Sequence, residues 1–458
     1  MLIGLDCVPP ALAFERYRAH MPCLSELRAR GAFARLRSCF PPITVPAWTC
    51  MVSGRDPGEL GLYGFRRRVE ASYELELVSA RDVGVPRVWD VLGERGLRSS
   101  ILFVPPTYPV PALRGEAVSC FLTPDDAPSY TYPSRLKGEL EARFGPYVAD
   151  VDDVRTADLG SLYEKLEQMT RQHFAIARHL WQTRDPDFMM LVEIGPDRFH
   201  HAFFQHLDPR HPQYRPDNLY AELGPRYYAL LDREIASLVA LCDAQTSVLI
   251  ASDHGARALE GAFCINEWLI QRGLLTLREH ARALGPRPLQ PNMVDWSRTR
   301  VWAEGGYYAR VFFNVRGREP QGVLDHSELE AERAVLQRAL REVRGPHGEA
   351  WTNRIEAPRD LYRDVQGRAP DLLAVFDDLA VRPIATVGSG ALYAEGDDRG
   401  TDGCNHDWDG IFVMAGAGIE AWGDLGTLDI QDVGKTVLGL FDVQAPAGFL
   451  GVDRSRNS

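Results

Sequence analysis

The sequence contains no apolar run long enough to cross a membrane. Its longest runs, such as Phe188-Met189-Met190-Leu191-Val192, are strand-sized, this one bounded by charge at Asp187 and Glu193, far short of the ~18 apolar residues a span requires. It has no Cys-x-x-Cys pair either. The eight cysteines (Cys7, Cys23, Cys39, Cys50, Cys120, Cys242, Cys264 and Cys404) lie far apart, which argues against a zinc knuckle or a disulfide framework and for reduced, mostly buried thiols in a cytoplasm. There is no basic block, and the net charge is −12, so stable binding to nucleic acid or to an anionic membrane is not expected. A small phosphorylated substrate remains open, because metal ions can supply local positive charge. The first residues lack the basic, apolar, cleavable pattern of a leader. Met1-Leu2-Ile3-Gly4-Leu5-Asp6 reads as a buried strand ending in a carboxylate, so a cytoplasmic location is expected. No repeats or low-complexity tracts occur.

Short apolar runs alternate with helical patterns along the 458 residues. That alternation predicts an α/β fold with a mostly parallel central sheet flanked by helices. Strands are expected at 1–6, 33–38, 99–104, 188–194, 246–252 and 410–414, and helices at 22–31, 87–96, 159–184, 197–207, 219–242 and 430–441. Beyond Pro286 the composition shifts to proline-rich turns, strands and one charged helix. The expected organisation is a catalytic core over 1–285, a smaller α+β segment over 286–399, a return to the core over 400–450, and a tail over 451–458. The smaller segment is expected to cover the site and select the leaving group. Residues 400–406 read as a loop.

The stretch Pro41-Pro42-Ile43-Thr44-Val45-Pro46-Ala47-Trp48 reads as a stiff loop running into a helix over Ala47 to Val52, with Gly54 as its stop. Thr44 just before that helix sits where free N–H groups and the helix dipole favour negative charge. By itself a threonine there is an N-cap. Elsewhere three core strands end in an acid: Leu5-Asp6, Ile194-Gly195-Pro196-Asp197 and Ala251-Ser252-Asp253. Ligands of open α/β sheets collect at the carboxyl ends of strands, and three carboxylates gathered there repel one another unless a cation neutralises them. Asp197 and His201 are four apart, so both project from one helix face, although His200 lies beside His201 and spacing leaves both open. Asp253-His254 is either part of such a site or the cap of a following turn. His406 lies in the 400–406 loop. Three Asp, three His and one hydroxyl suffice for two divalent ions.

The order Asp6, Thr44, Asp197-x-x-x-His201, Asp253-His254-Gly255 and His406 resembles the alkaline phosphatase superfamily. It looks most like the type I phosphodiesterase and nucleotide pyrophosphatase branch, including its predicted phosphohydrolase and phosphomutase members. Leu27-x-x-x-Gly31, Pro105-Pro106-Thr107-Tyr108-Pro109, Asn266-Glu267-Trp268-Leu269 and Pro370-Asp371-Leu372 are similar to segments of that subgroup. The resemblance implies an alkaline phosphatase-like fold. It places Asp6, Asp253, His254 and the Thr44 oxygen on one divalent metal ion and Asp197, His201 and His406 on a second. Zinc is the implied ion, with manganese as the alternative. Thr44 is then the nucleophile of a hydrolase that cleaves phosphodiester or nucleotide pyrophosphate bonds through a phospho-threonine intermediate.

The implied substrate is a small phosphorylated molecule such as a nucleotide. Relatives place an Asn shortly after the nucleophile, and none follows Thr44; Arg66, with Tyr63 nearby, is the substitute phosphate contact expected here, set against the plain alternative of a surface arginine. Trp48, Tyr63 and Phe65 are either stacking surfaces for a base or core packing. The alternative functions are a phosphomonoesterase or phosphomutase of the same superfamily, and a metal- or phosphoryl-binding protein without turnover.

Overall fold

The computed structural model describes residues 1–282, 285–396 and 400–456. Residues 397–399 at the end of the smaller segment, and 457–458 of the expected tail, lie outside the described residues. The centre is a nine-stranded sheet in the order Gly423–Asp429, Ala32–Arg37, Asp409–Gly416, Ser247–Ala251, Leu2–Leu5, Phe188–Glu193, Ser99–Leu102, Gly115–Val118 and Thr131–Tyr132. Most pairings are parallel; Asp409–Gly416 runs antiparallel to both its neighbours, and the Thr131–Tyr132 edge is antiparallel as well. This is the alkaline phosphatase-like α/β architecture.

Side-chain alternation divides the core between the two faces of the sheet. Ile3, Leu5, Met189 and Leu191 pack on one face with the helices Leu159–Arg184, Gly195–Leu207 and Leu223–Val239. Leu2, Met190 and Val192 pack on the other with Thr44–Ser53, Val88–Glu94 and Ile430–Leu440. A sheet buried on both sides explains why its central strands read as continuous apolar runs.

The strand Leu2–Leu5 is central, and its parallel neighbours are Phe188–Glu193 and Ser247–Ala251. Parallel neighbours end on the same side. Asp6, the Gly195–Leu207 helix that carries Asp197, and Asp253 therefore emerge together. Behind them, the buried Glu193 carboxylate accepts from Thr170 Oγ1 at 3.1 Å and from the Gly195 N–H at 2.9 Å, and meets His173 Nδ1 at 3.0 Å. That network fixes where the Asp197 helix begins.

Four antiparallel strands (Val301–Glu304, Ala309–Phe313, Leu372–Val375 and Arg354–Glu356) build a second sheet with its own apolar core. Gly261–Cys264 pairs with Val381–Ile384 and Tyr393–Ala394. The Asn266-Glu267 pair is structural. Asn266 exchanges hydrogen bonds with the Ala303 main chain at 2.8 and 2.9 Å, and Glu267 accepts from the N–H groups of Ser389 and Gly390.

Two local expectations are corrected. The helix after Pro42 starts at Thr44, not Ala47, and runs to Ser53. Pro46 is tolerated in that first turn because its missing N–H would have had no intrahelical acceptor. Within 400–406, Cys404–Asp407 is not loop but a strand paired antiparallel with Gly255–Ala258. Among the described residues no helix is long and apolar enough to cross a membrane.

Candidate active site

The helix Thr44–Ser53 is wholly buried and meets the sheet at close range. Its N-cap, Ile43, is extended and makes no side-chain cap. Thr44 is thus the first helical residue rather than the cap, and its hydroxyl is not spent on the helix: Oγ1 lies 3.3 Å from His254 Nε2. One turn on, Trp48 Nε1 donates to Asp6 Oδ2 at 2.8 Å. Gly54 ends the helix in the left-handed region, as expected.

His254 Nε2 is also 3.3 Å from Asp253 Oδ2 and 3.6 Å from Asp6 Oδ1. Asp253 does not cap a local turn, since its other oxygen accepts from the distant Cys7 N–H at 3.3 Å. Beside this group lies a second. Asp197 Oδ1 is 3.4 Å from His201 Nε2 and 3.6 Å from His406 Nε2, and the two nitrogens are 3.4 Å apart. The His254 and His406 rings stack with centroids 3.8 Å apart, so the two groups share a wall. All seven of these residues are buried.

Two features suit these groups to cations. Asp6 Oδ1, Asp197 Oδ1 and Asp253 Oδ2 are buried without a hydrogen-bond partner, and buried polar atoms are normally paired. The histidines meet them with the wrong atom for a hydrogen bond. His254 Nδ1 faces the Gly255 carbonyl at 3.1 Å, His406 Nδ1 the Pro42 carbonyl at 2.9 Å, and His201 Nδ1 the Asp402 carboxylate at 2.8 Å. In the neutral ring each Nδ1 carries the proton, and Nε2 turns a lone pair toward the orphaned oxygens. Metal-bound histidines are held this way. A tetrahedral ion with bonds of ~2.0–2.1 Å has ligand–ligand edges of about 3.3–3.4 Å, close to the separations in both groups.

Electrostatics describes the cluster without ions, and there His201 stands apart: burial opposes its charge, but Asp402 outweighs burial and raises it well above the ordinary histidine range. Burial first, and then the neighbouring Asp197, push the Asp6 carboxyl well above its ordinary range; burial and Asp6 do the same to Asp253. Burial also opposes the charge of Asp197, but His201 and Arg198 outweigh it and hold Asp197 well below the usual range. Burial brings His254 down to about 4, and burial together with His254 depresses His406.

Of the sequence candidates, Asp6, Thr44, Asp197, His201, Asp253, His254 and His406 come together. His200 turns away and meets the Tyr228 hydroxyl at 3.0 Å. Tyr63 and Arg66 do not join the cluster. They line a separate cleft of about 250 Å³, and the Tyr63 hydroxyl donates to the Gln366 carbonyl at 2.9 Å. Trp48 is fully buried against Asp6 and offers no stacking surface; Phe65 packs on Phe121. The sequence reading overlooked Asp402, Arg198 and Tyr307. Arg198 donates to Asp197 at 2.7 Å and clasps Asp150, and Tyr307 stacks on His406 at 3.8 Å. The adjacency of Arg198 to Asp197 was the one signal available for these three.

The fold has solved relatives. Human ectonucleotide pyrophosphatase/phosphodiesterase 5 aligns over 97% of this chain and 95% of its own at 13% identity, with a TM-score of 0.58. An inactive threonine-to-alanine variant of the murine protein, in complex with AMP, aligns over 98% and 96% at 11% identity, TM-score 0.57. Phosphonoacetate hydrolase from Sinorhizobium meliloti 1021, in complex with phosphonoformate, aligns over 90% and 88% at 15% identity, TM-score 0.55. No curated protein matches the sequence significantly. The family model for type I phosphodiesterase / nucleotide pyrophosphatase matches residues 1–403, which takes in every cluster residue except His406. The chain belongs to the type I phosphodiesterase / nucleotide pyrophosphatase family.

Proposed function

We propose that the protein is a two-metal phosphohydrolase that cleaves phosphodiester or nucleotide pyrophosphate bonds through a phospho-threonine at Thr44. The observation that carries this reading is the Thr44 hydroxyl, free of any capping role and 3.3 Å from His254 Nε2, beside three orphaned carboxylate oxygens. Asp6, Asp253, His254 and the Thr44 oxygen would hold one divalent ion, and Asp197, His201 and His406 the other. A donor set of carboxylates and imidazoles without thiolate accepts zinc or manganese. Such ions supply positive charge that offsets the phosphoryl oxygens and lowers the pKa of a bound hydroxyl.

The chain's own residues do the rest. The first turn of the Thr44–Ser53 helix presents free N–H groups where the phosphoryl group would lie. Thr44 loses its proton to solvent, Oγ1 bonds to phosphorus as the bond to the leaving oxygen breaks, and that oxygen takes a proton from solvent. Water then adds to phosphorus on the opposite side from Oγ1, the P–Oγ1 bond breaks, and Thr44 is restored. Trp48 holds Asp6 in place throughout, and the main-chain carbonyls of Pro42 and Gly255 fix two of the imidazoles.

One observation favours diesters over monoesters. Among the described residues, the guanidinium bonded to a cluster carboxylate is that of Arg198, and each of its three nitrogens already donates to Asp150 or Asp197, which offset its charge. A doubly charged monoester would find no free guanidinium there, whereas a singly charged diester needs less. The murine relative's complex with AMP, and the inactivity of its threonine variant, agree with a nucleotide-type substrate and a threonine nucleophile.

The test compares a bis-aryl phosphodiester with an aryl phosphomonoester, using wild-type protein and Thr44→Ala. Wild type should turn over the diester faster. Thr44→Ala should lose at least about 10³-fold in kcat while both ions stay bound. Normal turnover in that variant, or no hydrolysis of either ester by metal-loaded wild type, sinks the proposal. The second outcome would favour a binding protein without turnover.

A further inference from the structure

We propose that Asp402 is a positioning residue for the Asp197–His201–His406 site, acting through His201, and that Arg155 and Arg382 hold it there. The inference rests on the two-ion reading above. Asp402 Oδ1 faces His201 Nδ1 at 2.8 Å and accepts from the Cys404 N–H at 3.3 Å. Its other oxygen accepts from Arg382 Nη1 at 2.8 Å and from Arg155 Nη2 at 3.0 Å. The Asp402 side chain is fully buried. Despite burial, the Arg382 guanidinium and His201 hold its carboxyl well below the ordinary range.

His201, Asp402 and Cys404 also bring their donor atoms within 4.8 Å of one another, so a metal ligand is the rival role for Asp402. The hydrogen bonds decide against it. Asp6, Asp197 and Asp253 each keep an oxygen without a partner, whereas both oxygens of Asp402 are engaged. Asp402 is built to accept from an imidazole.

The three histidines are not held alike. His254 and His406 give Nδ1 to main-chain carbonyls, which are neutral; His201 gives it to a carboxylate. A carboxylate on Nδ1 fixes the tautomer, aims Nε2 and raises the basicity of the ring. The charge on Asp402 therefore acts on one of the two sites. The arginines come from elsewhere in the chain: Arg155 precedes the long helix Leu159–Arg184, and Arg382 lies on Val381–Ile384. The Arg382 guanidinium is 5.0 Å from the centre of the Tyr307 ring, which in turn stacks on His406. Arg382 and Tyr307, both within 286–399, thus brace this site, the first through Asp402 on His201 and the second directly on His406.

The experiment is a zinc titration of the full chain, stripped of metal, by calorimetry with elemental analysis of the product. Wild type should take up two ions. Asp402→Asn keeps an acceptor but loses the charge, and should weaken one ion about 10- to 100-fold while leaving the other within about twofold. The unaffected ion reports that the variant is folded. Asp402→Ala should weaken the same ion further. If the Asp402 variants do not fold, Arg155→Gln, which removes only the more exposed arginine, should still weaken one ion by about threefold. Unchanged affinities, or equal weakening of both ions, overturn the inference and leave the two-ion reading standing. Wild-type protein that takes up no ion overturns both.

Discussion

His200 and His201 leave the helix Gly195–Leu207 in different directions, because consecutive helical residues are about 100° apart. His201, four residues from Asp197, joins the cluster; His200 meets Tyr228 and is pushed down to about 3 by burial. An unfolded histidine takes up its proton near pH 6.5. Between pH 6.5 and 3 the unfolded chain therefore binds a proton that folded His200 refuses, and stability falls as the pH falls, by about 1.4 kcal/mol per pH unit. In metal-free protein, His200→Asn should keep a partner for Tyr228 and recover about 2 kcal/mol of the loss between pH 6.5 and 5, read from urea midpoints. An identical pH dependence in the variant would show that His200 is not the source. The four-residue spacing made this pair legible in the sequence without choosing between its histidines. What settled the choice, Tyr228 on one side and Asp402 on the other, lies 28 and 201 residues away.

At the scale of elements, the helix Thr44–Ser53 owes its place to a missing side chain. A Cβ on Gly4 would lie 2.5 Å from Trp48 Cη2 and 2.9 Å from Val192 Cγ2. Gly4 is therefore what lets the helix approach the strand and lets Trp48 reach Asp6. Gly4→Ala should destabilise the fold by about 1–3 kcal/mol, measured by denaturant unfolding. It should also lower turnover, because Trp48 and Thr44 sit on the same two helical turns. A variant of unchanged stability and full activity would mean the helix can shift without consequence. The central strands were plain in the sequence because burial on both faces makes them uninterrupted apolar runs. The edges were not. Gly423–Asp429 carries two glycines and two aspartates, and Cys404–Asp407 reads Cys-Asn-His-Asp, so neither has the composition of a strand. Each is extended because a distant partner supplies its hydrogen bonds, Ala32–Arg37 for one and Gly255–Ala258 for the other. Local propensity carries no trace of such pairing.

On the scale of the molecule, the cluster ties residue 6 to residue 406, and its residues come from both ends of the chain and from its middle. The seven residues were legible as an ordered set because a carboxylate at a buried strand end has few structural reasons to be there. Their surroundings were not, since Asp402, Arg382 and Tyr307 meet the cluster only through the fold. A protein of net charge −12 that buries three carboxylates side by side is under electrostatic load wherever no cation offsets them. Ions bound to the folded state alone add RT ln(1 + [ion]/Kd), about 2.7 kcal/mol per site at a hundredfold excess over Kd. Chelation should therefore lower Tm, and returning zinc or manganese should restore it in proportion to the logarithm of free ion. Asp253→Asn should do two things at once. It removes one carboxylate of the proposed two-ion site and one source of repulsion, so the metal-free variant should melt at or above metal-free wild type, while its gain from added ion should shrink to that of a single site. Calorimetric melting of both proteins with chelator and with excess ion reads out all four states. If chelator and added ion leave the wild-type Tm unmoved, the carboxylates are held together by something other than cations.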